Sequence, residues 1–270
     1  ILNGVMLNNI AISLDLGNPS ISDVFQENDI ILVTDDIGNY YIPNNNVNTI
    51  ENIQSNKAYQ VLLSGQSEQT LTAEGYPLDF ANTPITIQPF LLNNIPYLLS
   101  EPTSAEDFAH DLPIIFCSDD EGHYYIPDAG VNTIDASGGM QPGKGYQVLI
   151  SGTESIEFVY GEADDANLGR NLSIVGASEN YNVTRTGVSH PIIIDELSGL
   201  VSDGDELIAY ADGVPIGVTT ISTDDANLLV AWKSLYEYGI DTDGYYDGDQ
   251  IELRLFSQEL GEELMVTTSF

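Results

Sequence analysis

The sequence predicts an all-β protein with two tandem repeats of about 84 residues, each with one short helix, followed by a C-terminal β-sandwich. Two observations lead to this prediction: a segment that occurs twice, and many short β-branched or aromatic runs bounded by turn residues. At 270 residues the chain has room for two or three domains of ordinary size. We place these domains at residues 1–87, 88–165 and 166–270.

The repeat is clearest in two pairs of matching segments. Asp35–Pro43 has the sequence DDIGNYYIP, and Asp119–Pro127 has the sequence DDEGHYYIP, 84 residues further along the chain. A second pair, Lys57–Gly65 and Lys144–Gly152, is offset by 87 residues. Self-similarity at a nearly fixed spacing indicates that a structural unit occurs twice.

Each repeat contains one predicted helical turn, within residues 19–25 and 102–108. A Ser or Thr can cap this turn, and acidic residues follow in its first positions, where the positive end of the helix dipole favours them.

A hairpin follows the helical turn. Ile30–Thr34 is a short β-branched run that predicts a buried strand. Asp35–Gly38 predicts a turn, because an Asp side chain can bond the backbone two residues on and glycine permits positive φ. Asn39–Ile42 predicts the return strand, and Ala58–Leu63 predicts a further strand.

The last hundred residues contain no copy of the repeat and follow an acidic linker over residues 161–180. They predict a β-sandwich, because short strands recur at regular spacing between Asp-Gly turns. The seven predicted strands are Asn182–Thr186, Pro191–Ile194, Glu206–Ala211, Ile216–Ser222, Leu228–Lys233, Gln250–Ser257 and Glu263–Thr268.

The charge of the chain limits its partners. It has 42 acidic residues against 6 Lys and Arg, a net charge of −36. Such a surface repels nucleic-acid phosphates and anionic lipid headgroups, so we predict no nucleic-acid partner. The charge is typical of a solvated surface in a salty medium, although dedicated cation sites would also fit. No apolar run approaches the roughly 20 residues of a membrane span, so we predict no membrane insertion.

Paired acids occur in both repeats. Asp35–Asp36 and Asp119–Asp120 are candidates for catalytic carboxylates or calcium ligands. Neighbouring residues of a strand point to opposite faces, which does not favour the convergence that general acid–base catalysis needs. We therefore interpret both pairs as turn-forming residues.

Paired tyrosines follow these turns. Because side chains alternate along a strand, one tyrosine of each pair is expected in the core and the other at the surface. We assign Tyr41 and Tyr125 as candidate binding residues, where an exposed ring could stack on a surface glycan or a protein partner.

The best metal candidate is the loop from Asp241 to Glu252, with Asp243 and Asp249 between them. These four acids match positions 1, 3, 9 and 12 of the calcium-loop template. The template glycine is replaced by Tyr246 and no flanking helices are predicted, so this is not an EF-hand. A looser Ca²⁺-binding turn and a plain acidic hairpin loop both stay open, and we predict no other cofactor.

No catalytic signature is present in the sequence. It has no G-x-S-x-G, H-E-x-x-H or paired C-x-x-C motif, and its three histidines lie in separate segments. The single cysteine, Cys117, lies in an apolar run and is predicted to be a buried structural thiol. We therefore do not predict an enzyme.

The repeat resembles a unit found in secreted and surface proteins of marine bacteria and in structural proteins of marine phages. That unit combines D-x-x-G-x-x-Y-x-P, G-I-N-x-I-G and P-G-x-G-Y-Q-V. Gly130–Ile134 and Pro142–Val148 match it, whereas the first repeat departs at Asn46 and at Ser55–Ala58. The resemblance implies a repeated β-rich architecture and an exterior setting, and it brings no catalytic residues.

These observations predict a non-enzymatic structural or adhesive protein, an extracellular subunit of a virion, fibre or cell-surface assembly. Its partners would be further copies of itself or other assembly subunits. The alternative is a carbohydrate-binding module that uses Tyr41 or Tyr125, with calcium at the Asp241 loop.

Overall fold

The computed structural model describes residues 1–161, 178, 180–194, 197–199, 201–223 and 227–267. It confirms the all-β class: the described residues form several antiparallel sheets and three short α-helices. The chain divides into two compact units: the first is Ile1–Asp128 with Asn132–Leu172, and the second is Ser173–Phe270 with the short segment Ala129–Val131. Most of the predicted acidic linker lies outside the described residues. Within the described part of the chain, no helix is long and apolar enough to cross a membrane.

The first unit contains two similar sets of elements. The first set is β1 (Leu7–Ala11), β2 (Leu14–Asp15), α1 (Ile21–Val24), β3 (Ile30–Thr34), β4 (Tyr40–Ile42), β5 (Val47–Asn48), β6 (Ala58–Leu63) and β7 (Tyr76–Pro77). The second set is β8 (Ile85–Ile87), β9 (Asn93–Pro96), α2 (Ala105–Ala109), β10 (Ile114–Ser118), β11 (Tyr124–Ile126), β12 (Val131–Asn132), α3 (Thr133–Ala136), β13 (Gly145–Ile150) and β14 (Ile156–Phe158).

Two five-stranded sheets with the same strand order form the centre of this unit. The first sheet has the order β1-β6-β3-β4-β5, and the second has the order β9-β13-β10-β11-β12. Both contain a register shift at the same point, between Ile30 and Leu32 in β3 and between Ile114 and Phe116 in β10. Two short strand pairs, β2 with β7 and β8 with β14, lie outside these sheets.

Each sheet packs one face on its own hydrophobic core. In β6, Tyr59, Val61 and Leu63 belong to the first core, together with Ile21 and Phe25 from the α1 region. Side chains alternate along a strand, so the residues between them, such as the neighbouring leucine of β6, face the other side of the sheet. The second core is built in the same way, and it also takes in the apolar residues of β8.

The helices are short and their capping differs. Ser104 caps α2, since its hydroxyl oxygen accepts a hydrogen bond from the Asp107 N–H at 3.0 Å, whereas Ser20 precedes α1 without a side-chain cap. Helix α3 was not predicted. Asn132 caps it through a 3.1 Å bond from the Asp135 N–H, and a single turn gives no periodic pattern to detect.

The second unit contains β15 (Ser189–Ile194), β16 (Glu206–Ala211), β17 (Val214–Thr220), β18 (Asn227–Trp232), β19 (Glu252–Ser257) and β20 (Glu262–Met265). These form a four-stranded sheet of order β17-β16-β19-β20 and the separate pair β15–β18. One core joins them, with Leu207 and Leu255 from the larger sheet and Leu229 from the pair.

The strand predicted over Asn182–Thr186 does not form. Thr186 is buried, and its hydroxyl donates to the Lys233 carbonyl oxygen at 2.7 Å, so this segment is held by a side-chain bond instead of a strand ladder. The other predicted strands of this region are present with slightly displaced ends.

Candidate functional sites

The first aspartate of each pair forms the hairpin turn, as predicted. Asp35 Oδ1 accepts hydrogen bonds from the Ile37 N–H at 3.1 Å and the Asn39 N–H at 2.9 Å. Asp119 does the same in the second sheet, where its Oδ1 accepts from the His123 N–H at 2.9 Å and its Oδ2 lies 2.7 Å from His123 Nδ1. These bonds explain why Asp precedes the turn glycine in both segments.

The second aspartate of each pair joins the two sheets. Asp36 Oδ2 accepts a hydrogen bond from the backbone N–H of Asn94 at 3.0 Å, and Asp120 Oδ2 accepts one from the backbone N–H of Asn9 at 2.8 Å. The contact is reciprocal, because each turn binds the outermost strand of the other sheet. We call this arrangement the repeat junction, and interpreting these two residues purely as turn formers was wrong.

The junction also supplies acceptors to buried backbone groups at two sheet edges. Asn9 lies in β1 and Asn94 lies in β9, and both strands are at the edge of their sheets. An edge N–H that is buried without an acceptor is costly, and one exposed to solvent invites pairing with another chain. The carboxylates of Asp120 and Asp36 accept hydrogen bonds from these two N–H groups, so neither is left without an acceptor or available to another chain.

Two of the six basic residues of the chain lie at the junction. Lys57 Nζ is 3.2 Å from Asp35 Oδ2, and Lys144 Nζ is 3.4 Å from Asp120 Oδ1. Lys144 also forms an ion pair with Glu121. All four paired aspartates are therefore engaged with protein donors, and the arrangement is suited to holding structure together more than to proton transfer.

Burial and hydrogen bonding separate the pKa values within each pair. Burial raises the pKa of Asp120 to about 6, although the Lys144 charge opposes this. Burial also tends to raise the pKa of Asp119, but its hydrogen bond and charge interaction with His123 outweigh burial and leave the pKa below its ordinary value. In the first sheet, burial likewise raises the pKa of Asp36.

The outer face of the first sheet is buried. Leu7, Leu62 and Leu32 lie side by side across β1, β6 and β3, and their exposed fractions are 1%, 0% and 4%. None of the three belongs to the core under the opposite face. This side of the first sheet is therefore an apolar, covered surface.

The equivalent face of the second sheet is less buried, although Tyr124, which lies against Phe116 on this face, is only 2% exposed. Leu149 pairs with Phe116 across β13 and β10, and both are half-buried. Leu92 directly precedes β9 and is 45% exposed, and Phe90 and Leu91 beside it are 67% and 56% exposed. We call the five residues other than Tyr124 the second-sheet face.

The loop that carries Phe90 is held in the same way as its counterpart in the first sheet. Phe90 has φ 56° and Val5 has φ 57°, a conformation that is uncommon for residues other than glycine. Asn93 fixes the loop, because its amide donates to the carbonyl oxygens of Gln88 at 2.9 Å and Leu91 at 2.8 Å. The exposed apolar residues are therefore held by a defined loop conformation.

The structure corrects the predicted exposure of the tyrosines. Tyr41 and Tyr125 are half-buried and pack against the first and second cores, instead of pointing into solvent. Tyr40 is the more exposed member of its pair at 41%, whereas Tyr124 is buried at 2%. In the first pair the more exposed residue is therefore Tyr40 and not Tyr41, whereas in the second pair Tyr125 is more exposed than Tyr124, as predicted. A glycan-binding role for Tyr41 and Tyr125 stays a prediction.

The four acids of the predicted calcium loop are not brought together. Asp241 and Asp243 are exposed, Asp249 Oδ2 accepts from the Tyr246 N–H at 2.8 Å, and Glu252 Oε1 accepts from Arg254 Nε at 2.7 Å. Among the described residues, no group of three or more His, Cys, Asp or Glu side chains is arranged to hold a metal ion. Calcium binding therefore stays a prediction from the sequence.

Cys117 is fully buried, and burial raises the pKa of its thiol far above the ordinary value.

Comparisons with known protein families, with curated proteins and with solved structures find no match for this chain.

Proposed function

We propose that this chain is a non-enzymatic structural subunit of an exterior assembly, such as a virion, an extracellular fibre or a cell-surface layer. We further propose that the second-sheet face joins it to a second copy of the same chain. The observation that carries the proposal is the exposure of Phe90, Leu91 and Leu92 on this face, since the leucines on the equivalent face of the first sheet are buried.

A contiguous patch of large apolar side chains is uncommon on a monomeric protein and indicates an interaction surface. Phe90, Leu91 and Leu92 are each at least 45% exposed, and they adjoin the half-buried Phe116 and Leu149. Burying apolar side chains of this size contributes about 1.5–3 kcal/mol each, which favours association over exposure.

The charge distribution favours a second copy as the partner. The face comes from three segments without a single charged residue, Phe80–Ser100, Leu112–Ser118 and Gly145–Gly152, in a chain of net charge −36. A basic partner would need carboxylates on the face to pair with, and these segments provide none. An uncharged apolar face is instead complementary to an identical one, with two sheets packed about 10 Å apart around a two-fold axis.

The repeat junction supports this arrangement. Edge strands often mediate association by pairing with a strand of another chain. Here the edge N–H groups of Asn9 and Asn94 already bind Asp120 and Asp36. We therefore assign the contact to the sheet face instead of these two edges.

The test is the mass of the full chain in solution, measured by sedimentation velocity between about 0.1 and 1 M NaCl. Salt shortens the screening length from about 10 Å to about 3 Å and weakens the repulsion between acidic copies. We expect a dimer or larger species that becomes more abundant as salt increases. The double variant Phe90→Ser/Leu91→Ser should remain monomeric, whereas Tyr76→Ser, which changes an 80% exposed ring elsewhere, should associate normally.

A monomer at every salt concentration would contradict the self-association, and association that weakens with salt would indicate a contact between opposite charges. The exterior role is tested separately by negative-stain electron microscopy of material from the natural source. A regular fibre or shell containing this chain is expected, and isolated particles of single-chain size would contradict that role.

A further inference from the structure

Two exposed tyrosines of the second unit lie in direct contact. Tyr236 is 64% exposed and Tyr246 is 45% exposed. Their ring centroids are 6.1 Å apart and the ring planes make an angle of 78°, an edge-to-face arrangement. We call this pair the tyrosine platform. It presents aromatic surface to solvent at two orientations.

Backbone hydrogen bonds hold together the two segments that carry the platform. Tyr245 donates its N–H to the Trp232 carbonyl oxygen at 3.0 Å, and Ser234 donates its N–H to the Tyr245 carbonyl oxygen at 2.9 Å. Gly244 permits this approach, since a Cβ atom there would lie 2.3 Å from Ser234 N. Leu235, next to Tyr236, is fully buried and anchors that side.

The loop conformations beside each ring are also fixed. Tyr236 begins a 3-10 turn, Tyr236–Tyr238, which ends at Gly239 in the left-handed conformation with φ 81°. The Tyr246 N–H donates to Asp249 Oδ2 at 2.8 Å. A binding surface whose backbone is already held in place loses less conformational entropy when a ligand binds.

Charged groups of both signs are carried by residues that neighbour the two tyrosines in the sequence or pair with those neighbours. Lys233 Nζ lies 3.2 Å from Glu237 Oε1 and 3.2 Å from Asp247 Oδ2, and these acids directly follow Tyr236 and Tyr246 in the sequence. The same two loops therefore carry exposed aromatic rings, one ammonium group and two carboxylates.

We propose that the tyrosine platform is a carbohydrate-binding site for a neutral pyranose. The apolar C–H face of a sugar ring can stack on a tyrosine, and its hydroxyl groups can both donate to carboxylates and accept from an ammonium group. An anionic ligand would meet Glu237 and Asp247, and a cationic one would meet Lys233. This site shares no residue with the second-sheet face, and it does not use Tyr41, Tyr125 or calcium.

The test is native affinity electrophoresis of the full chain through gels that contain laminarin, dextran, hydroxyethyl cellulose or agarose. We expect at least one of these neutral polysaccharides to slow the wild-type protein. Tyr236→Ala and Tyr246→Ala should each weaken the apparent affinity about tenfold or more. Tyr76→Ala is the matched control, because that ring is 80% exposed and lies in the first unit.

Both platform rings are exposed, so the variants should melt at the wild-type temperature, and this is measured first. If either variant does not fold, Lys233→Met takes its place, since it removes the donor and leaves the rings. Absence of retardation by all four polysaccharides overturns the proposal. Retardation that is equal in wild type and both platform variants also overturns it.

Discussion

The Cβ atom of Ala58 lies 2.7 Å from the position that a Cβ atom would take on Gly145. These residues occupy equivalent places, because each follows the lysine of the segment that recurs 87 residues later. The two sheets approach each other at this point, and there is room for only one methyl group. The absence of a side chain at Gly145 therefore makes room for the methyl group of Ala58.

Gly145→Ala should lower the free energy of unfolding by about 1–3 kcal/mol, the usual cost of overpacking a filled contact. The added methyl group would meet both the Ala58 side chain and the Ile10 carbonyl oxygen, 3.1 Å away. Urea denaturation measures the loss. The double variant Ala58→Gly/Gly145→Ala should recover a substantial part of it, and a single variant as stable as wild type would contradict the close approach.

Removing either junction aspartate should destabilise the first unit. Asp36→Ala and Asp120→Ala each leave a backbone N–H, of Asn94 or Asn9, without its acceptor. A buried unsatisfied N–H costs about 1–3 kcal/mol, measured here by chemical denaturation. The matched control is Asp111→Ala, whose side chain is fully exposed at 100% and which should change stability little. Equal effects at all three positions would refute the role of the junction.

The raised pKa of Asp120 predicts a pH dependence of stability with a definite sign. In the folded state this pKa is about 6, above the ordinary value of 3.8, so the folded chain binds the extra proton between these values. Stability from this group is therefore present at about pH 4 and declines as pH rises through about 6. The uncharged variant Asp120→Asn should lack this decline.

The measurement compares the free energy of unfolding of wild type and Asp120→Asn from about pH 4 to pH 7. The variant should become more stable relative to wild type as pH rises, by no more than a few kcal/mol. A difference that stays constant over this range would contradict the raised pKa. Asp119 and Asp35 have lowered pKa values, and their contributions are lost only at more acidic pH, as they protonate.

The predicted calcium site gives a separate measurable expectation. If calcium bridges the acids of the Asp241 loop, EDTA lowers the melting temperature of the purified protein and Asp243→Asn removes that effect. One carboxylate oxygen of Asp249 already accepts from the Tyr246 N–H and one of Glu252 from Arg254, so calcium would bind through their other oxygens or compete with these bonds. An unchanged melting temperature with EDTA would contradict calcium binding.

Local patterns predicted much of the secondary structure. The β-branched run Ile30–Thr34, the Asp-x-x-Gly turns and the proline after each Tyr-Tyr-Ile segment set strand and hairpin positions through backbone chemistry alone. The segment Asn182–Thr186 was predicted wrongly, because its threonine bonds a distant carbonyl oxygen. The alternation of side chains along a strand shows that Tyr40 and Tyr41 face opposite sides of the sheet. It does not show on which side the core lies.

The sequence by itself determined the all-β class, the turns and the role of the first aspartate of each pair, since these depend on residues a few positions apart. Only the tertiary structure decided that Asp36 binds Asn94, that Gly145 contacts Ala58, and that the apolar face of one sheet is more deeply buried than its equivalent on the other. These relationships join residues distant in the chain, and each arises only when two folded sheets are placed together. The recurring Asn-Asn pairs at residues 8–9 and 93–94 accompany the Asp-Asp pairs in both repeats, but nothing in their spacing shows that each contacts the other repeat.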